Sequence, residues 1–260
     1  MRLNIMKSIC AVALLGVASA GANADVIRVT EENFLAGSGM ITFSEFSLGT
    51  TNPVYSPADY GGELGDPTVS FGGYFLGQSL STTPSIDCPG AAATACIVGT
   101  PIGPLSLDPN SPVTFITTDA SNPSSPVLSG RPTYNGPIAI LFDIDVAAVG
   151  FDAGYFDAIG STGITAFARD GTILGTVVNT GLGIEFLGLV TSDQSEMIAG
   201  VFLDLISDEP AGFAVDNLRF GYRETVTVPI PEPETYAMLL AGLAVVGVVT
   251  RRRRSIKATM

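Results

Sequence analysis

The chain has 260 residues, a net charge of −13 at pH 7, and neither histidine nor tryptophan. The absence of histidine excludes Ser-His-Asp and Cys-His catalysis and every histidine-based metal site. The negative charge makes nucleic acid an unsuitable partner, because binding it requires cationic groups that neutralise phosphates.

The first 24 residues have the pattern of a secretory signal peptide. Arg2 and Lys7 form a positively charged start, and residues 9–17 form an apolar segment. A small-residue cleavage motif, Ala22-Asn23-Ala24, follows, which predicts a mature chain that begins at Asp25. A retained signal anchor is the alternative, and the short apolar segment disfavours it.

Residues 25–229 are predicted to form one exported all-β domain, since their number suffices for one sizeable core but not clearly for two. They contain 5 of the 12 basic and 23 of the 25 acidic residues, so the domain carries a charge near −18. Such an acidic, lysine-free surface suits a secreted protein that must stay soluble, or one that binds divalent cations.

Two cysteines, Cys88 and Cys96, lie in this domain. They are predicted to form a structural disulfide, because export places them in an oxidising compartment. The seven residues between them are mostly small and favour closure of the loop. No CxxC spacing supports a redox-active pair.

The first half of the domain is rich in glycine, serine, threonine and proline. Short strands are predicted at 40–46, 68–75 and 112–117. The stretches 50–66 and 120–137 have the composition of long loops.

The pattern of strands becomes tighter from residue 138 onward. Asp170-Gly171 between two β-rich runs predicts a hairpin with a type I′ turn, in which both central residues need positive φ. The spacing of the strands is typical of a sandwich. The strands are predicted at 138–142, 146–151, 163–169, 172–178, 185–190, 197–206 and 213–220.

Carboxylates offer two further interpretations. Asp143 and Asp145 lie two residues apart at a strand end and are candidates for a glycosidase-type pair. A calcium site is a second possibility, since calcium prefers carboxylate and amide oxygens. Its candidate ligands are Asp143, Asp145, Asp216 and Asn217, with Asp152 and Asp157 near them. The alternative is that these side chains form solvated turns or hydrogen-bond to loop backbone.

Aromatic side chains offer candidate platforms for sugar rings. Tyr134 and Tyr155 are the candidate glycan contacts, with Tyr60 and Tyr74 as further possibilities. In the pair Tyr155-Phe156, strand alternation predicts that one ring points inward and the other outward. The alternative for each ring is packing in the core or on the sheet.

The C-terminal region, residues 230–254, contains three features in order. Pro231, Glu232 and Pro233 favour an extended, exposed chain. An uncharged segment follows and predicts a membrane helix at about 235–250, although its 14 apolar residues span only about 21 Å. A basic cluster then predicts a cytoplasmic end. A buried core helix or a loosely associated tail is the alternative. The anchor residues are Tyr236, Leu239, Leu240, Val249, Arg251, Arg252, Arg253 and Arg254.

This order of features resembles the PEP-CTERM sorting signal. The resemblance implies recognition of Pro231, Glu232 and Pro233 by an exosortase, a membrane-embedded enzyme of Gram-negative bacteria that typically make exopolysaccharide. It covers about the last 30 residues.

The second half of the domain more loosely resembles the jelly-roll or lectin-like β-sandwiches of PEP-CTERM proteins. The resemblance rests on 149–151, 165–171 and 213–220. We therefore expect an exported protein, held in the inner membrane with a periplasmic domain and then released to the cell surface or matrix. We expect this protein to be non-enzymatic and to associate with exopolysaccharide or biofilm. The alternatives are a carbohydrate-binding module and a glycan hydrolase that uses Asp143.

Overall fold

The computed structural model describes residues 25–210 and 212–229. These ranges contain fifteen β-strands and only three short helical segments, which confirms the all-β prediction. The helical segments are α1 (Pro84–Asp87) and the 3-10 turns Glu31–Asn33 and Ala93–Ala95. The strands are β1 (Val26–Val29), β2 (Gly39–Ile41), β3 (Val54–Tyr55), β4 (Val69–Gly72), β5 (Gln78–Leu80), β6 (Ile97–Gly99), β7 (Thr114–Asp119), β8 (Asn122–Gly130), β9 (Ala139–Val146), β10 (Ala148–Phe156), β11 (Thr162–Phe167), β12 (Ile173–Val178), β13 (Gly183–Thr191), β14 (Ile198–Leu205) and β15 (Ala214–Gly221).

Two antiparallel sheets hold most of the strands in the described ranges. A seven-stranded sheet has the order β1-β13-β10-β15-β8-β7, with β2 also paired to β15. A six-stranded sheet has the order β12-β11-β14-β9-β4-β3, and β5 pairs separately with β6. From β9 onward the chain passes repeatedly from one sheet to the other. The predicted jelly-roll-like β-sandwich is therefore confirmed.

The inner faces of the two sheets form one apolar core. Phe142 of β9 lies against Phe220 of β15, with ring centroids 5.5 Å apart, and so joins the two sheets directly. Every second residue of a strand faces this core, as Val201 and Leu203 of β14 do. Both side chains are fully buried, as expected for face-to-face packing of sheets.

Smaller apolar clusters cover part of both outer faces. On the six-stranded sheet, Phe75 packs edge to face against Phe167, with centroids 5.6 Å apart. On the seven-stranded sheet, Phe34 packs against Phe186 at 5.9 Å. Because both faces of the central strands are covered there, their sequences read as nearly continuous apolar runs.

The β11–β12 hairpin forms as predicted, but the predicted turn type is wrong. The Gly171 amide donates to the Ala168 carbonyl at 2.9 Å, and the Ala168 amide donates to the Thr172 carbonyl at 2.8 Å. Of the pair Asp170-Gly171, only Gly171 has a positive φ, +86°. The connection is thus a three-residue loop with a glycine bulge, since the turn begins one residue earlier than predicted.

Three predictions in the first half were also wrong in extent, and one of them is the loop 50–66, which contains β3. The predicted loop 120–137 contains β8, whose proline and serine residues suggested a loop. Its pairing with β15 occurs only at Leu128 and Ser129, so Pro126 lies where β15 does not require an N–H donor. The predicted strand 40–46 ends early, because Phe43 adopts a φ of +57°.

The predicted disulfide between Cys88 and Cys96 is present, with both cysteines buried. The loop that it closes lies on the segment before β15. There, the Ala92 amide donates to the Glu209 carbonyl at 2.9 Å, and the Asp208 amide donates to the Pro89 carbonyl at 3.1 Å. The disulfide therefore anchors a loop that contacts the main sandwich.

We expect the double substitution Cys88→Ala with Cys96→Ala to lower the free energy of unfolding by about 2–3 kcal/mol. The physical reason is that the bond restricts the unfolded chain over a short loop. Denaturant unfolding of the purified full chain measures the effect. Reduced wild-type protein is the control and should match the variant; equal stability of the oxidised wild type and the variant would contradict the prediction.

Candidate functional site

Several predicted functional segments lie outside the described residues. They are the signal peptide up to Ala24, the sorting motif Pro231-Glu232-Pro233 and the anchor with its basic cluster. No helix among the described residues is both long and apolar enough to cross a bilayer. The signal peptide and the membrane anchor therefore stay predictions.

The two predicted glycan contacts, Tyr134 and Tyr155, line the same cleft. We call it the Tyr134–Tyr155 cleft; its volume is about 160 Å³. Tyr155 comes from the end of β10, and Tyr134 comes from the turn that follows β8. The remaining wall residues are Asp119, Ser121, Gly154, Gly212 and Phe213. The cleft thus combines two phenol rings with a carboxylate and a hydroxyl.

The backbone of Tyr134 is held tightly. Its amide donates to the Ser129 hydroxyl at 2.7 Å, and its carbonyl accepts from the Phe213 amide at 2.7 Å. Its φ is +62°, which is unusual for a bulky side chain. Strained backbone of this kind is often found at functional positions.

Two further contacts fix the Tyr134 side chain and its turn. The phenol donates to the Thr118 carbonyl at 2.5 Å. At Gly212, whose φ is +73°, a Cβ atom would lie 1.7 Å from the Tyr134 carbonyl oxygen. Only glycine fits there, so the turn at Tyr134 and the entry to β15 pack with no space between them.

Tyr155 presents its ring to solvent. Its side chain is 56% exposed, whereas Phe156 is 1% exposed and belongs to the core. The predicted alternation of the two rings is thus confirmed, with Tyr155 outward. The ring lies beside the start of β13, since a Cβ atom at Gly183 would be 3.5 Å from it. Tyr155 is therefore available as a platform.

The charge at the cleft is negative. Burial raises the pKa of the Tyr134 phenol, and the charge of Asp119 raises it further. Asp119 and Gly154 also line a narrow pocket that contains Asp152 and Asp216. The cleft therefore favours neutral or cationic ligands over anionic ones.

The candidate calcium ligands do not form one set. Asp143 and Asp145 lie on β9 of the six-stranded sheet, where the Asp143 carboxylate accepts from the Thr68 amide at 2.6 Å. Asp145 pairs with Arg169, whose Nε donates at 3.0 Å. No group of three or more acidic, cysteine or histidine side chains in 25–210 and 212–229 has an arrangement that could hold a metal ion.

Asp216 and Asn217 lie on β15 of the other sheet, where they form a bulge. Two residues, Asn217 and Leu218, occur opposite Phe151 of β10, and Asn217 has a φ of +49°. The Asn217 amide donates to the Asp216 carboxylate at 2.7 Å, and its side chain donates to Asp152 at 2.9 Å. The Asp-Asn pair thus shapes the backbone of a strand, whereas the alternative to calcium that the sequence offered was a solvated turn or hydrogen bonds to loop backbone.

Sequence reasoning missed Glu209, a buried acid near the disulfide loop. Its carboxylate accepts from the Ser161 hydroxyl at 2.9 Å and from the Asp157 amide at 3.1 Å. Burial is the main reason that its pKa rises from 4.5 to about 7, although these two hydrogen bonds offset part of the rise. No sequence motif marks such a residue, because its partners Asp157 and Ser161 are about fifty residues away in the chain.

The sequence offered Tyr60 as a possible sugar platform but did not reveal the larger cavity that it lines, which we call the Tyr60–Tyr222 groove. Its volume is about 540 Å³, and it lies where β15 ends and β2 begins. Three loops meet there, so no single stretch of sequence carries its signal. Its lining residues are Gly37, Ser38, Gly39, Tyr60, Gly61, Gly62, Glu63, Asp66, Tyr222 and Thr225.

Comparison with known proteins identifies a sorting signal behind this acidic β-sandwich. Residues 229–254 match the PEP-CTERM protein-sorting motif, which confirms that prediction. The motif implies an exported protein that is processed by an exosortase and sorted to the cell surface of a Gram-negative bacterium. No curated protein matches the chain significantly.

We expect the substitution Glu209→Gln to change how stability depends on pH. Between about pH 4.5 and 7 the folded state keeps the Glu209 proton, whereas the unfolded state releases it. The free energy of unfolding of the wild type should therefore fall relative to that of the variant as pH rises through this window. Above the window the difference between the two should stay constant. Denaturant unfolding of the full chain across this range measures it.

The exposed acid Glu32 provides the matched control. The substitution Glu32→Gln removes one carboxylate from the surface and so controls for the change in net charge. Parallel stability curves for wild type and Glu209→Gln would contradict the assignment of a raised pKa to Glu209.

Proposed function

We propose that this protein is a non-enzymatic component of the cell surface or extracellular matrix that associates with exopolysaccharide. The sorting motif supports delivery to that location. The observation that carries the proposed association is the Tyr134–Tyr155 cleft, where two residues chosen from sequence as glycan contacts line one cavity. We propose further that a helix at 236–249 holds the domain in the periplasm until processing.

The chemistry of the cleft suits a sugar ring. The exposed face of Tyr155 can stack on the apolar face of a pyranose, while Asp119 and Ser121 offer polar partners for its hydroxyl groups. The volume of 160 Å³ is below the range of about 300–1,000 Å³ that is usual for enclosed ligand sites. A surface contact with a long polymer, repeated by many copies of the protein, fits this shape better than tight capture of one small molecule.

The contacts of the candidate acids favour a role without catalysis. Asp143 binds the Thr68 amide, and Asp145 pairs with Arg169. Both carboxylates therefore have a structural partner on the sandwich. In a glycosidase, by contrast, the two carboxyl groups flank the scissile glycosidic bond.

We expect Tyr155→Ala to abolish saturable binding to the exopolysaccharide of the source cells. The side chain is mostly exposed, so the free energy of unfolding should change by less than about 0.5 kcal/mol. Affinity electrophoresis of the full chain in gels containing the polysaccharide measures binding. Ile86→Ala removes an even more exposed apolar side chain from α1 and should bind as wild type does.

The same samples test the hydrolase alternative. Incubation with the polysaccharide should release no reducing ends from either wild type or Asp143→Asn. Unchanged binding by Tyr155→Ala would contradict the proposed cleft, and glycan turnover that Asp143→Asn abolishes would contradict the non-enzymatic role.

A further inference from the structure

We propose that the Tyr60–Tyr222 groove is a second saccharide site, which selects sugar units that carry a free amino group. The site is separate from the Tyr134–Tyr155 cleft. Phe213 at the cleft and Tyr222 at the groove lie just beyond opposite ends of β15. At about 3.3 Å per residue, the two sites are roughly 25–30 Å apart along the strand.

The size of the groove is that of a ligand site. Its volume of about 540 Å³ lies within the usual range of about 300–1,000 Å³, unlike that of the cleft. Two of its glycines pack directly on aromatic rings: a Cβ atom at Gly39 would lie 2.2 Å from the Phe220 ring, and one at Gly62 would lie 2.5 Å from the Tyr60 ring. Larger residues at these positions would therefore displace the rings.

One of the two phenol rings is fixed before any ligand arrives. The Tyr60 hydroxyl donates to the Pro67 carbonyl at 2.6 Å, and its ring packs edge to face on Phe220 at 5.3 Å. A ring that is held at its edge and at its hydroxyl loses little conformational freedom when a sugar stacks on it.

The second phenol has an unused polar atom. The Tyr222 oxygen is buried, and no residue in the described part of the chain forms a hydrogen bond with it. Its backbone is fixed by the turn to Thr225, whose hydroxyl accepts from the Tyr222 amide at 2.9 Å. Buried polar atoms nearly always have a partner, so an unpaired phenol oxygen beside this groove is unusual.

The charge of the groove decides which saccharide fits. Glu63 and Asp66 line it. Burial raises the pKa of Tyr222 to about 12, and the charges of Asp66, Glu196 and Asp143 add to this rise. These groups therefore surround the phenol with negative potential.

No basic residue is among the lining residues of the groove. The nearest in sequence, Arg223, is exposed. Hydrogen bonds from Ser195 lower the pKa of Asp193, and the charge of Arg223 adds a smaller effect there. Acidic sugars would be repelled by this potential. An ammonium group gains charge-assisted hydrogen bonds to Glu63 or Asp66 and attraction to a phenol face. Glycans with unacetylated amino sugars have both the hydroxyls and the cation that the groove accommodates.

The test compares oligomers of glucosamine with N-acetylglucosamine oligomers of the same length, by calorimetric titration of the full chain at a pH where the amine is protonated. The wild type should bind the glucosamine oligomer at least roughly tenfold more tightly, which corresponds to about 1.4 kcal/mol. Equal affinity for the two oligomers would overturn the selection for an amine.

A pair of glycine substitutions locates the site. Gly61 and Gly160 have φ of +73° and +75°. A Cβ atom added at either position would have no other atom within 4 Å. Asparagine tolerates this backbone region, so both positions should accept it. Gly61→Asn places a side chain at the groove and should weaken binding roughly tenfold, whereas Gly160→Asn should bind as wild type does. Equal binding by the two variants would overturn the site.

A second pair separates local charge from net charge. Glu63→Gln and Glu32→Gln each remove one exposed carboxylate, but only Glu63 lines the groove. Glu63→Gln alone should weaken binding of the glucosamine oligomer. Equal loss in both variants would show attraction to the acidic surface in general and would overturn the proposal. The variant Tyr155→Ala should retain this binding; its loss there would assign the oligomer to the other cleft.

Discussion

The packing of one sheet against the other is the constraint on which the rest of the structure depends. Contacts such as that of Phe142 with Phe220 hold the inner faces together across an apolar core. Because the chain passes back and forth between the sheets, its loops gather at the ends of the sandwich. The Tyr134–Tyr155 cleft and the Tyr60–Tyr222 groove both form there, at opposite ends of β15. The core thus positions the surface loops that form both cavities.

The sequence predicts the second half of the sandwich well and the first half poorly. Strands such as β14 are apolar on both faces, because the core covers one face and Phe75 with Phe167 helps to cover the other. Their composition therefore reveals them. β8 contains prolines and serines and becomes a strand only because β7 pairs along its length. Its formation depends on tertiary context, which local composition does not contain.

The candidate sites also divide into features that local sequence shows and features that depend on tertiary context. Residue chemistry identifies Tyr134 and Tyr155 as possible sugar contacts, but only the fold shows that they share a cleft. The carboxylates Asp143 and Asp216 look like one calcium site in the sequence and lie on different sheets in the structure. Glu209 carries no sequence signal, because its raised pKa results from burial among residues that are distant in the chain, such as Ser161. A single sequence does not show which distant residues come together in the folded chain.

The central claim is that the chain is an exported protein that an exosortase processes at its C-terminal motif. The most direct test is the intact mass and C-terminal residue of the protein isolated from its own cells, with the exosortase present or deleted. The account predicts a chain that ends near Pro231-Glu232-Pro233 only when the enzyme is present. A chain that extends to Met260 in the inner membrane in both strains would contradict it and would define a tail-anchored periplasmic protein.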